Sequence, residues 1–321
     1  MSAERVAAID IGTNSVLLLI ADPRASSLEP VVERATITRL GEGVDATRAL
    51  SSGAASRTLS CLENYARELR TRGVTRLAAV GTSALRDAAG GTEFLDSAER
   101  ILGTRPRVIS GDEEAELTFY GALSGLTLQE PSAAPVERAV TVFDVGGGST
   151  EIISGATSGP GAAGRVDRAK SLDIGSVRLF ERHVRHDPPL RDEMARIDDD
   201  IQRELESVGR AHESAVLVGV AGTVTTLAAI ELGLSAYDST RVHGLTLSLS
   251  SIEALAERLT RQTLAERLEL PGLEPKRADV IMVGAAIVRS VLAWSGQSEL
   301  VVSDRGVRWG LAERLARAID D

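Results

Sequence analysis

Apolar positions along the chain follow two periods. Short runs rich in β-branched residues, bounded by glycine or polar turns, predict strands at 5–11, 14–21, 28–39, 74–80 and 106–109, and again at 139–145, 150–154, 166–172, 215–221 and 299–302. Between them, apolar residues recur three or four positions apart, which predicts helices at 51–72, 92–102, 112–124, 175–186, 190–211, 223–232, 250–268, 275–293 and 305–319. Ser51 or Ser52 can cap the first helix, and Thr92 with Glu93 opens the second. Leu255, Leu259 and Leu264 carry an apolar stripe through the region after Ser250. Strands and helices mixed in this order specify an α/β protein. Residues 129–137, with two prolines, read as a linker; 155–165, rich in glycine, as a long hairpin loop; and 268–275 as a further loop.

The pattern occurs twice. Residues 6–20 read VAAIDIGTNSVLLLI and residues 140–154 read VTVFDVGGGSTEIIS. Asp10 matches Asp144, Gly12 matches Gly146 and Ser15 matches Ser149, each pair 134 residues apart. A second match follows in the same order, with Gly81-Thr82 against Gly222-Thr223. Two ordered matches indicate two lobes of related topology.

At 321 residues the chain is long enough for two domains, and 43% hydrophobic residues suffice for real cores. Acidic residues outnumber basic ones, 46 to 36, and aromatics are only 3%, which argues against a nucleic-acid partner. An anionic substrate would need a locally positive pocket in an acidic protein. A single cysteine, Cys61, excludes an intrachain disulfide, and its neighbours at helical spacing mark it as a buried structural thiol. His183 and His186 are three apart on one predicted helix, without the carboxylate pattern of a metal site. No apolar run approaches a membrane span and the N-terminus lacks a signal layout, so no membrane partner and a cytoplasmic location are expected.

The glycine turns carry the first candidate chemistry. In DVGGGST a strand follows the turn, so the dinucleotide-binding arrangement, which places a helix there, does not apply. A strand–turn–strand hairpin can instead present backbone N–H groups to phosphate oxygens, with glycines permitting close approach. Thr13, Ser15, Ser149 and Thr150 would add hydroxyl donors, and Asp10 or Asp144 would orient water or a divalent cation. A tight turn of no further consequence is the plain alternative for either hairpin alone. In 108–123, Asp112, Glu113, Glu114 and Glu116 crowd one helix start. Acidic residues favour a helix N-terminus, yet a glutamate beside bound phosphate would also serve as general base to water. Arg86, just after Gly81-Thr82, would neutralise phosphate charge, or is simply one surface arginine among many.

Taken together, AAIDIGTNS (7–15), VGTSALRDA (80–88), ISGDEEAEL (109–117), FDVGGGSTE (143–151), SLDIGSVRLFE (171–181), VAGTVTTLAA (220–229), KRADVIMVGAAI (276–287) and VSDRGVRWGL (302–311) resemble the exopolyphosphatase / guanosine pentaphosphate phosphatase (Ppx/GppA) family. The resemblance implies a duplicated α/β fold of the actin, sugar kinase and heat-shock ATPase type, ribonuclease H-like in each lobe, with a central cleft. It implies lobes at 1–125 with 303–321, and at 126–302, the final helix crossing back onto the first lobe. It assigns Glu114 as general base and Arg86 to the transferred phosphate. Gly12, Thr13, Asn14 and Ser15, with Gly146, Gly147, Gly148 and Ser149, would cradle phosphate. Asp144 and Glu151, with Asp10 as a further candidate, would hold Mg2+ or a similar cation. The implied reaction is release of orthophosphate from inorganic polyphosphate, or hydrolysis of guanosine pentaphosphate at its 5′ end. A kinase of the same superfold and a non-catalytic sensor of alarmone or polyphosphate are the other classes, and a homodimer is compatible with the Leu-rich helices after 250. Two departures bear on substrate. Glu116 stands where many members carry arginine, either repelling phosphate or lying outside the cleft. The chain also resembles the short, two-domain members, which points to short polyphosphate chains.

Overall fold

The protein, seen as a computed structural model, is described over residues 4–24, 27–128, 137–157, 164–211 and 215–317. It divides into two compact units, Met1–Gly121 with Val307–Asp321, and Ala122–Gly306.

The first unit is built on strands β1 (Val6–Ile11), β2 (Ser15–Arg24), β3 (Ser27–Ile37), β4 (Arg76–Gly81) and β5 (Arg107–Val108), in the order β3-β2-β1-β4-β5. β1 runs antiparallel to β2 and parallel to β4. All six residues of β1 are buried, as befits a central strand covered on both faces. The alternation of the pleat sorts them. Ala7, Ile9 and Ile11 join a cluster with Leu62, Tyr65 and Leu69 of the helix Ser52–Thr71. Val6 and Ala8 join one with Val307, Trp309 and Leu311 of the helix Val307–Arg317. The final helix therefore completes the first unit's core. Its Arg308 and Trp309 both donate to Glu33 on β3, at 2.8 and 3.2 Å.

The second unit repeats the plan with β6 (Arg138–Val145), β7 (Thr150–Thr157), β8 (Arg165–Leu172), β9 (Val216–Val220), β10 (Thr246–Ser248) and β11 (Glu299–Val302). Their order is β10-β11-β9-β6-β7-β8. From β8 to β11 this matches the first sheet from β3 to β5, and again the first strand is antiparallel to the second and parallel to the fourth. Its core is organised by the helix Ile281–Ser295, twelve of whose fifteen residues are buried, so it is apolar on every side.

The sequence reading needs correction at several ends. The predicted helix at 250–268 is two, Leu249–Arg261 and Leu264–Leu268, because Thr263 starts a new capping box with Glu266. Leu255 and Leu259 are buried, whereas Leu264 is exposed. The helix Gly91–Leu102 is preceded by Gly90 in a left-handed conformation, so Thr92 lies inside it and caps nothing. Ser51, and not Ser52, caps Ser52–Thr71 through the amide of Ala54. Residues 275–277 form a 3-10 turn ahead of Ile281–Ser295. Three one-turn helices, Val44–Thr47, Ser83–Asp87 and Ser239–Val242, and the three-residue β10 are too short for periodicity to reveal. The helix Ser176–His183 ends before His186, so the two histidines do not share a face; His183 meets Asp200 and His186 meets Glu193, each at 2.8 Å. Cys61 is buried, and burial pushes its thiol up despite hydrogen bonds with Thr36 and Tyr65. Most of the linker at 129–137 and the centre of the loop at 155–165 lie outside the described residues. Among the described residues no helix is long and apolar enough to cross a membrane.

At Gly310 the last helix packs against the helix Gly111–Leu123 with no room for a side chain. A Cβ there would lie 2.1 Å from the carbonyl oxygen of Leu117 in the helix Gly111–Leu123. Backbone cannot yield as a side chain does, so Gly310→Ala is expected to cost about 1–3 kcal/mol in urea unfolding. A variant as stable as the parent would show that this helix is not seated as described.

Candidate phosphate-binding site

Each sheet ends its first hairpin in a glycine turn. In residues 12–15, the amide of Gly12 donates to the carbonyl of Ser15 at 2.9 Å; in 146–149, Gly146 donates to Ser149 at 3.0 Å. A Cβ on either glycine would sit 3.1 Å from the same carbonyl, so both turns are tight in the same way. Thr13, Asn14, Gly147, Gly148 and Ser149 are all buried. The side-chain amide nitrogen and oxygen of Asn14 are both enclosed and have no hydrogen-bond partner among the described residues. Such groups are rare, and a buried amide of this kind is a ready receptor for a polar ligand. The Thr13 hydroxyl is paired with Ser83 at 2.8 Å. Thr150, expected to offer a hydroxyl, instead spends it on the carbonyl of Ile174 at 2.6 Å.

The second matched motif holds the end of the first strand in each unit. Thr82 donates its backbone N–H to Ile11 at 3.3 Å, and Thr223 donates its hydroxyl to Val145 at 3.2 Å. Ile11 and Val145 occupy equivalent positions in the two repeats. Gly219, just before this motif in the second unit, has no room for a side chain against the ring of Phe143.

The acidic run of the first unit is sorted by the helix Gly111–Leu123. Glu113 pairs with Arg107 at 2.7 Å and with Arg314 at 3.0 Å, and Glu116 pairs with Arg314 at 3.2 Å. Both carboxylates pair at the surface, and the charge of Glu116 is offset there by Arg314. The Arg107 guanidinium, ahead of the smaller penalty of burial, holds the Glu113 carboxyl below the usual range. Asp112 is exposed. Glu114 alone turns inward, is 7% exposed, and meets Arg86 at 2.8 Å. Arg86 also donates to the carbonyl of Ile109 at 2.9 Å, so it is a fixed, partly buried cation and not a loose surface arginine.

Asp10 and Asp144 are the penultimate residues of β1 and β6. Their surroundings differ. Across the ladder Asp10 faces Leu17, whereas Asp144 faces Glu151. Directly opposed residues place their side chains on one face of the sheet, so the second unit presents two carboxylates where the first presents one. Glu151 is 1% exposed and accepts a hydrogen bond from Ser171 at 2.7 Å. Among the described residues no three His, Cys, Asp or Glu side chains form a metal cluster. A Mg2+ ion commonly takes one or two carboxylates and completes its shell with water and substrate phosphate, and the Asp144–Glu151 pair fits that donor set.

Two mixed sheets of matching strand order, each carrying helices, define a duplicated α/β protein of the actin-like ATPase fold. The chain belongs to the Ppx/GppA phosphatase family, whose sequence profile matches residues 19–317. Exopolyphosphatase 2 of Mycobacterium tuberculosis is 37% identical over 332 aligned positions, covering 98% of this chain and all of that protein. A crystal structure described as an exopolyphosphatase-like protein superposes over the whole of both chains with a TM-score of 0.91 at 35% identity. That of an exopolyphosphatase from Cytophaga hutchinsonii covers 98% of both chains with a TM-score of 0.85 at 26% identity.

If Asp144 holds the cation, Asp144→Asn will weaken binding of Mn2+, used as a paramagnetic stand-in for Mg2+, about tenfold or more by electron paramagnetic resonance. Unchanged affinity would remove Asp144 from that role.

Proposed function

We propose that this protein is an exopolyphosphatase, releasing orthophosphate from the ends of inorganic polyphosphate. The single observation that carries the reading is the Glu114–Arg86 pair: of four carboxylates in one helical turn and a half, only Glu114 is withdrawn from solvent, and it is oriented by a fixed guanidinium. The full-length similarity to proteins described as exopolyphosphatases supports the choice of substrate.

In this account the amides of the glycine turns and the Asn14 side chain bind phosphate oxygens. Glu114 accepts the proton of the attacking water at a carboxylate oxygen, and Arg86 both holds Glu114 in place and offsets charge on the phosphate. Asp144 and Glu151 hold the divalent cation, with Asp10 a further candidate; Mg2+, when bound, offsets charge on the phosphate oxygens. Phosphoryl transfer asks mainly for positioning and charge neutralisation, which these groups supply without a protein nucleophile.

The test is orthophosphate release with Mg2+ from tripolyphosphate, long-chain polyphosphate and guanosine pentaphosphate in parallel. The proposal expects release from polyphosphate. Release confined to guanosine pentaphosphate would replace it, and binding without release would leave a sensor. Glu114→Gln is expected to lower kcat by about 10²–10⁴-fold, the usual worth of a general base, with little change in KM. Turnover that survives this change would mean another group takes the proton. Arg86→Ala is expected to lower kcat and raise KM together; a variant with both constants unchanged would return Arg86 to a structural role.

A further inference from the structure

The end of the segment SLDIGSVR, residues 175–178, has no role in the chemistry above, yet it makes several hydrogen bonds to the second turn. Ser176 donates its N–H to the carbonyl of Gly146 at 3.0 Å, and its hydroxyl to the same oxygen at 3.3 Å. Val177 and Arg178 donate their N–H groups to the carbonyl of Gly147 at 2.9 and 3.0 Å. The Arg178 side chain, 8% exposed, donates Nε–H to the carbonyl of Gly148 at 2.5 Å. Three consecutive carbonyls of the turn are thus bonded to one helix start. Gly175 makes this contact possible, since a Cβ there would lie 2.4 Å from the oxygen of Gly147.

A trans peptide holds its N–H opposite its C=O. Fixing the carbonyls of Gly146, Gly147 and Gly148 on the helix side therefore turns the N–H groups of Gly147, Gly148 and Ser149 away from it. Among the described residues these three N–H groups have no acceptor. The first unit has the same device. The segment after β3 donates Thr38 and Arg39 N–H to the carbonyl of Asn14, both at 3.0 Å, and Gly41 N–H to that of Thr13 at 2.9 Å. Gly41, like Gly175, has no space for a Cβ, here 2.3 Å from Thr13 Cγ2. In both repeats, then, the residues after the third strand clamp the turn after the first.

We propose that Arg178 is a positioning residue for catalysis: through the Gly148 carbonyl it completes a clamp that aims the Gly147, Gly148 and Ser149 amides at substrate phosphate. The proposal rests on the reading of 146–149 as a phosphate turn. Arg178 does not itself touch the substrate. Among the described residues the clamp has two side-chain donors, the Ser176 hydroxyl on the Gly146 carbonyl, which the Ser176 N–H also holds, and Arg178 on the Gly148 carbonyl, so Arg178 is the one whose removal frees a carbonyl without rebuilding the loop.

The test compares the parent with Arg178→Ala, Arg178→Met and Arg178→Lys, and with Leu259→Ala as a buried truncation elsewhere in the same unit. Arg178→Ala is expected to lower kcat/KM on tripolyphosphate about 10–100-fold, the usual effect of losing a group that orients a binding atom. Added guanidinium should restore part of the loss, and Arg178→Lys should retain more activity than Arg178→Met. Leu259→Ala should lower the melting temperature while leaving kcat/KM unchanged below it. Parental kcat/KM in Arg178→Ala, or an equal loss in Leu259→Ala, would overturn the proposal. Should Arg178→Ala not fold, Arg178→Met keeps the bulk without the donor and is read the same way. The clamp is also read without any ligand: the amide resonances of Gly147 and Gly148 should shift or broaden in Arg178→Met, and unchanged resonances would overturn it. If those resonances move but the parent neither binds nor hydrolyses tripolyphosphate, the clamp stands and the assignment to phosphate fails.

Discussion

A backbone N–H can serve a ligand well only if its peptide plane cannot turn, and a peptide plane is most simply fixed through its carbonyl. Both glycine turns meet this condition. The carbonyls of Thr13 and Asn14 are bonded to 38–41, and those of Gly146, Gly147 and Gly148 to 175–178. Preorganised donors of this kind need no rearrangement when charge develops on a bound phosphate, which is the main source of their catalytic worth. The glycines follow from the same constraint. Gly41 and Gly175 let the clamping segment approach, and Gly12 and Gly146 let each turn close on itself.

Duplication then explains what the two units share, and divergence explains what they do not. Both share a five-strand order, to which the second adds β10, a tether from the second motif's threonine to the end of the first strand, and a clamp after the third. The chemistry is unequal. Glu151 faces Asp144 where Leu17 faces Asp10, so the paired carboxylates suited to a cation belong to the second unit. The Glu114–Arg86 pair, its carboxylate buried and its guanidinium partly so, belongs to the first, and the neighbouring Glu113 and Glu116 are held at the surface by Arg107 and Arg314. An ion pair withdrawn from solvent is a poor way to gain stability, since desolvation offsets its attraction. The proposal that Glu114 is the general base accounts for such a pair by its chemistry.

Much of this was legible in the sequence because it rests on local pattern. Ten of the eleven described strands, the repeat and its two ordered motifs follow from apolar period and glycine spacing; Asp144 and Arg86 stand in those motifs, and Glu114 is singled out by the family resemblance alone. What stayed hidden depends on contacts distant in sequence. Nothing in Asp112, Glu113, Glu114 and Glu116 alone says which faces inward; that is decided by partners 28 residues away at Arg86 and about 200 away at Arg314. Thr150 reads as a donor to phosphate until Ile174 takes its hydroxyl. Arg178 and Gly175 carried a signal, their place in SLDIGSVR, but a role only emerges once β8 brings them behind the turn. The break after Arg261 was missed because the apolar stripe continues through it, while the Thr263 cap fixes the new start.

The central claim is that backbone amides of the two turns bind substrate phosphate, and it can be observed directly in the Glu114→Gln protein, labelled with 15N and titrated with tripolyphosphate and Mg2+. The account predicts that the amide resonances of Asn14 in the first turn, and of Gly147, Gly148 and Ser149 in the second, each move downfield and saturate, as the protons enter hydrogen bonds to phosphate. Saturable binding that leaves these four resonances in place while others move would contradict it.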